Sequence, residues 1–208
     1  MGIKTMIFLT LIFLSGCTTA IEYPKESGEI SVYFCPKDDC ANKLVELIKN
    51  SSEKVYCALF DIGLTQLIGA LADKSHSADV KIVIDNVNFE GQINGTGVRF
   101  DTNSQLTHNK FCIFDDDKLF TGSFNPTERG AYKNNNNMLV IESKYLVENY
   151  NGEFDELWDY MFGKGERVKN PIIYLNNKKI ENYFCPEDSC AWNVIQNLNA
   201  AEKSIYFM

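Results

Sequence analysis

Six residues near the middle of this 208-residue chain have the types that phosphate chemistry uses: His108, Lys110, Asp115, Gly122, Ser123 and Asn125. If residue types were equally frequent, H-x-K-x4-D-x6-G-S-x-N would arise about once in sixty million start positions, which sets it apart from a lone glycine-rich loop. Residues 111–114 form a short apolar run closed by Asp115-Asp116-Asp117-Lys118, a strand followed by turn chemistry. Residues two apart on a strand share a face, so His108 and Lys110 should project into one pocket. An imidazole can attack phosphorus, and an ammonium beside it can neutralise a phosphate oxygen. After a second short strand at 118–121, Gly122 lets the backbone approach a ligand, and Ser123 and Asn125 add neutral hydrogen-bonding groups.

Two of the six also have a purely structural explanation. Asp115 could be a turn former like Asp116 and Asp117. Asn125 could cap a helix, with Pro126 in the first helical position and Glu128 closing the box. Capping and phosphate binding are compatible, because a helix N-terminus itself attracts anions.

This constellation resembles the signature of the phospholipase D superfamily, and most closely its small members, the bacterial Nuc-type nucleases and the mitochondrial cardiolipin hydrolase/Zucchini group. The likeness covers roughly residues 30–163. It implies two-step phosphodiester exchange without a metal or other cofactor. The residue matching His108 would form a phosphohistidine, and those matching Lys110, Ser123 and Asn125 would hold the phosphate oxygens, with Asp115 completing the catalytic set. A histidine from a second copy of the motif would protonate the leaving oxygen and then activate water. One departure concerns the carboxylate that orients the nucleophile in small members. A Glu-Asn pair before the next strand is replaced here by Asn136-Asn137, so Asn136 is the histidine-orienting candidate, and an amide cannot stabilise the ring's cation as a carboxylate does.

The chain has only two histidines. His76 lies in the polar stretch Lys74-Ser75-His76-Ser77, which reads as an exposed loop. The second motif should therefore come from a homodimer partner or from a missing C-terminal domain. A repeat favours the latter: Tyr33-Phe34-Cys35-Pro36 through Cys40-Ala41 recurs as Tyr183-Phe184-Cys185-Pro186 through Cys190-Ala191, and Leu44, Val45 and Ile48 match Val194, Ile195 and Leu198.

At the other end, Lys4, an apolar stretch at 6–14 and Leu14-Ser15-Gly16-Cys17 resemble a bacterial lipobox, implying cleavage before Cys17, lipidation of Cys17 and an exported, membrane-anchored envelope protein. The apolar stretch is shorter than the about 20 residues a membrane-spanning helix needs. In an oxidising compartment, the C-P-x-x-x-C pairs read as disulfides, Cys35–Cys40 and Cys185–Cys190, with a shared structural zinc as the alternative. Cys57 and Cys112 fall in apolar runs and read as packing residues.

Composition, 45% apolar, suits a globular fold. Strands expected at 30–35, 55–60, 80–85, 110–114 and 138–143 alternate with amphipathic helices at 41–49, 65–74 and 144–162, the pattern of a layered α/β domain. The resemblance makes this an α/β/α sandwich with a central mixed sheet. Within the helix at 144–162, the stripe Phe154, Leu157, Trp158, Met161 reads as core packing. The expected organisation is a signal peptide at 1–16, a linker at 17–29, the phospholipase D-like domain at 30–165, a linker at 166–179 and the truncated start of a second repeat at 180–208.

Charge bears on substrate: the chain carries a net −8, without the basic stripe that non-specific nucleic-acid binders present. Three functions remain. The compact motif resembles the nuclease branch, giving an endonuclease on DNA or RNA; the anchor and acidic balance suit a phospholipase D or cardiolipin hydrolase acting on phospholipid head groups; a non-catalytic phosphate-binding module is the third.

Overall fold

The computed structural model describes residues 22–88 and 97–207; the lipobox with Cys17 lies outside them. Among the described residues no helix is long and apolar enough to cross a membrane.

The elements run β1 (Lys25–Glu26), β2 (Ile30–Cys35), α1 (Cys40–Asn50), β3 (Lys54–Leu59), α2 (Thr65–Lys74), β4 (Asp79–Asp85), β5 (Val98–Asp101), β6 (Lys110–Phe114), β7 (Lys118–Gly122), α3 (Glu128–Tyr132), β8 (Asn136–Glu142), α4 (Lys144–Trp158), β9 (Ile172–Leu175), β10 (Lys178–Glu181) and α5 (Cys190–Asn199). Seven strands form one mixed sheet in the order β2-β8-β7-β6-β3-β4-β5. β3, β4 and β5 run parallel, and the other neighbours pair antiparallel. Helices on both faces give the expected α/β/α layering.

Every residue of β6 is buried, as a strand covered on both faces requires. Its alternation sorts the core. Cys112 and Phe114 join Leu44 and Ile48 of α1 and Leu67 and Leu71 of α2 on one side. Phe111 and Ile113 join Leu146, Phe154 and Leu157 of α4 on the other. Each such side chain, fully buried, contributes about 1.5–3 kcal/mol.

Several expectations need correcting. Cys57 and Cys112 are buried, but they are not free packing residues: they face each other in the β3/β6 register and form a disulfide. Cross-strand neighbours are already close enough to bridge. Because this bond ties strands 55 residues apart in sequence, the Cys57→Ala/Cys112→Ala double variant is expected to lose about 2–4 kcal/mol of stability, measured by urea unfolding beside the parent protein.

The stretch 166–179 is not an open linker. Ile172-Ile173-Tyr174-Leu175 and Lys178-Lys179-Ile180-Glu181 form a hairpin, turned by Asn176 and Asn177, both at positive φ, the geometry a two-residue hairpin loop needs. β1, within the other supposed linker, pairs with it in parallel. Ile173 and Leu175 of this small sheet are fully buried in the α4-side core. α4 stops at Trp158 rather than 162, because Tyr160 turns left-handed and the Met161 amide bonds back to the Glu156 carbonyl, a helix-closing arrangement. Phe154 and Leu157 are core residues as expected, but Met161 lies beyond the helix and is exposed.

The offset repeat is repeated in backbone as well. Cys35–Cys40 and Cys185–Cys190 are disulfides, so those sulfurs are not available as zinc thiolates. Pro36 and Pro186 both follow cis bonds. Asp38 and Asp188 each accept the amide of the residue four before, Phe34 and Phe184, at 2.8 Å. Left-handed Asp39 and Ser189 then start α1 and α5. The surroundings differ. Leu44, Val45 and Ile48 are at most 8% exposed, whereas Val194, Ile195 and Leu198 are 46–56% exposed.

Candidate active site

All of the motif but Asp115 assembles at one end of the strands of the large sheet. β6 begins there with Lys110, β7 ends there with Gly122, and the parallel strands β3, β4 and β5 all end there. Carboxyl ends of parallel strands are where α/β sheets place ligands. The Phe60 amide bonds to the Asn109 carbonyl at 2.8 Å, extending the β3/β6 ladder and holding the segment that carries His108.

The expected alternation is visible. Asn109 faces α4 and donates from Nδ2 to Glu153 Oε1 at 3.3 Å, whereas Lys110 lies on the opposite face. The Lys110 ammonium is buried, donates to the His108 carbonyl at 2.8 Å and sits 5.0 Å from the centre of the Phe60 ring. Burial pushes its pKa down to about 8, against the pull of Asp61. The His108 imidazole stands edge-on to Phe60 at 4.5 Å in an exposed residue. Burial, then the positive charge of Lys110, lowers its pKa, and Asp85 opposes them. A neutral imidazole beside a desolvated ammonium suits attack on a phosphodiester.

Ser123 follows β7. Its Oγ donates to Asn136 Oδ1 at 3.2 Å and accepts the Asn137 amide at 3.0 Å. Gly122, at φ +146°, has no room for a side chain, because a Cβ would lie 2.5 Å from the Asn137 carbonyl oxygen. Glycine there is what brings Ser123 against the start of β8. Asn125 does not cap a helix. The cap of α3 is Thr127, whose side chain accepts the Gly130 amide at 3.0 Å; the Thr127 amide itself bonds the Asn125 carbonyl at 2.8 Å. Asn125 Oδ1 is buried without a partner, an atom whose bonding a ligand could complete.

Two other candidates are held by structural partners. Asp115 is at the far end of β6, about 16 Å of strand from Lys110. Its carboxylate accepts the amides of Ser52, Glu53 and Lys54 at 2.8–2.9 Å, together with the Ser52 hydroxyl. It therefore ties the β6–β7 turn to the start of β3, away from the other motif residues. Asn136 accepts the Ser123 hydroxyl through Oδ1 and donates through Nδ2 to the Gly130 carbonyl at 3.0 Å; it braces the serine. His76 precedes β4 at the opposite edge of the sheet, about 20 Å of strand from the site.

The sequence reading missed Phe60, Asp61, Asp85, Asp101, Thr107 and Glu153. An acid ending an apolar strand, as at Asp85, was the available signal. Glu153 is half-buried, and loss of solvent pushes its pKa up to about 7 against the Asn109 bond. It lines a cavity of about 660 Å³ beside His108 and Asn109, together with Glu156, Phe162, Tyr183, Phe184 and Glu187.

Comparisons with known proteins show what the chain as a whole is similar to. The profile of the family described as "Cardiolipin synthase, PLD-like domain" matches residues 20–158. A protein named phospholipase D from Rickettsia typhi is 29% identical over 130 residues, covering 58% of this chain and 64% of that one. A mitochondrial cardiolipin hydrolase from Xenopus tropicalis is 27% identical over 163 residues, covering 71% and 75%. The crystal structure of Nuc from Salmonella typhimurium, described as a phospholipase D family member, matches with a TM-score of 0.60 at 25% identity, over 64% of this chain and 96% of that one. The chain thus spans 64% of the length of the Rickettsia typhi relative.

Proposed function

The chain belongs to the phospholipase D superfamily, and from that premise we propose that it is a phosphodiesterase whose nucleophile is His108. The observation that carries this reading is the exposed His108 imidazole and the desolvated Lys110 ammonium packed against one ring, Phe60, at the end of the sheet where β7 delivers Ser123 and Asn125. His108 attacks phosphorus, and the bond to the leaving oxygen breaks. Lys110, Ser123 and Asn125 hold the non-bridging oxygens, and water later releases the phosphoryl group from the ring. The leaving oxygen takes its proton from a histidine of a second motif, in a partner subunit or a further domain. Asn136 acts through Ser123, and Asp115 through the fold.

Nucleic acid is the first substrate reading, because the compact motif resembles the nuclease-type branch. Phospholipid head groups are the second, favoured by the acidic residues Glu153, Glu156 and Glu187 in the cavity beside His108, which would repel a second phosphate. Membrane attachment through a lipidated Cys17 belongs to the same second reading. The experiment is cleavage in EDTA of labelled single-stranded DNA or RNA and of phospholipid liposomes, offered in parallel to the protein lacking residues 1–17. Cleavage of one substrate alone chooses between the readings; cleavage of neither, in a protein supplied with a second motif, contradicts both.

The pH profile is a second test. The nucleophile must be neutral, so kcat/KM should rise through the lowered pKa of His108, below its ordinary 6.5. Lys110 must be charged, so kcat/KM should fall through about pH 8. A bound phosphate favours the ammonium, so the alkaline limb of kcat should lie at higher pH than that of kcat/KM. A profile flat from pH 7 to 10 would exclude a role for the Lys110 charge.

A further inference from the structure

Asp85 and Asp101 end the parallel strands β4 and β5 side by side, paired in register and only 2% and 1% exposed. Each gives one oxygen to its own strand end: Asp85 Oδ1 accepts the Val87 amide at 2.9 Å, and Asp101 Oδ1 the Asn103 amide at 2.6 Å. The other oxygens converge on one buried residue. Asp85 Oδ2 accepts the Thr107 amide at 3.0 Å, and Asp101 Oδ2 accepts the Thr107 hydroxyl. The next residue is His108.

Burying two carboxylates is costly unless each is well bonded, and a loop needs only one of them to be pinned. The surroundings of His108 suggest what else the pair does. Asn136, at the place where a carboxylate would orient the ring, is committed to Ser123 and Gly130. The charged groups around the imidazole come from several elements. Lys110 of β6 opposes its cation. Asp61, after β3, acts on Lys110, and Glu153 of α4 reaches Asn109. Asp85 of β4 favours the cation.

We propose that Asp85, braced by Asp101 through their shared grip on Thr107, is the positioning carboxylate of His108. It fixes the backbone from which the ring projects and supplies the negative field that an amide at 136 cannot. The field matters when charge develops: as the nitrogen–phosphorus bond forms and the phosphorus–oxygen bond breaks, a ring that keeps its other proton becomes cationic, while the leaving oxygen takes the electron pair. The proposal rests on the reading of His108 as nucleophile.

With two histidines in the chain, His76→Gln leaves one imidazole, and its titration by NMR needs no turnover. Asp85→Asn and Asp85→Ser are expected to lower the His108 midpoint by roughly 0.5–1 pH unit, as loss of a charge across partly solvated protein should, and Asn136→Ala to move it by less than about 0.2. Thr107→Val keeps the amide bond to Asp85 and loses the brace to Asp101; kcat should fall about tenfold, as expected for a loosened nucleophile, with KM within about twofold. An unmoved midpoint in both Asp85 variants, or an equal shift in Asn136→Ala, overturns the proposal. Should neither Asp85 variant fold, an unchanged kcat in Thr107→Val overturns it. If the parent protein, supplied with a second motif, cleaves nothing, the function fails while the titration still decides this point.

Discussion

His108→Ala is expected to reduce phosphodiester cleavage by about 10⁴-fold or more, with little loss of stability. A nucleophile is not one contribution among several: without it the covalent route is closed, and what remains is the rate given by binding and electrostatics alone. A factor of 10⁴ corresponds to about 5.5 kcal/mol of barrier, more than loss of a single hydrogen-bond donor usually costs. The residue is exposed and its ring leans on Phe60 from one side, so truncation opens no core cavity. Turnover measured in EDTA beside a thermal melt separates the two effects. A variant keeping a tenth of parental activity and melting normally would exclude His108 as the nucleophile and leave it merely lining the site. Lys110→Met makes an informative companion, since removing a desolvated charge should leave the fold intact or firmer while activity falls.

The second large effect concerns stability. Asp115→Ala should cost about 3 kcal/mol, because three backbone amides and a hydroxyl lose a charged acceptor together. Burial pushes the carboxyl up, but the amide and hydroxyl bonds together outweigh it and hold the carboxyl below its ordinary pKa. A depressed folded-state pKa contributes stability that is present above the unfolded value of about 3.9 and is lost as pH falls through the folded value. The destabilisation in Asp115→Ala should accordingly shrink between pH 5 and the acid unfolding limb. Urea unfolding at pH 7 and pH 3 measures both. Specific activity per folded molecule should stay near the parental value; a folded variant without activity would restore Asp115 to the site.

How much could be read beforehand follows from range. β6 and α2 have the expected bounds, because apolar periodicity and flanking turn residues are local signals. His108 and Lys110, two apart, both reach the Phe60 ring. What escaped depends on partners distant in the chain. Asp115 looks catalytic by spacing and is structural because Ser52, Glu53 and Lys54 arrive from elsewhere. Cys57 and Cys112 look like packing residues until β3 and β6 are paired. Asp85 and Asp101 acquire meaning only when two parallel strands end together over Thr107. The hairpin at 172–181 is a different kind of miss, since its Asn-Asn turn lay in plain view.

β6 occupies the middle of seven strands, bonded on one side to β3 and on the other to β7. Sheets fray from their margins, and central strands open only with the whole structure. The amides of 111–113 should therefore exchange with deuterium at the rate of global unfolding, slower than those of the edge strands β2 and β5. The nucleophile's lead-in and Lys110 are thus mounted on the last part of the sheet to loosen. On warming, catalytic competence and the folded state should disappear at one temperature, with no interval in which a folded but inactive form accumulates.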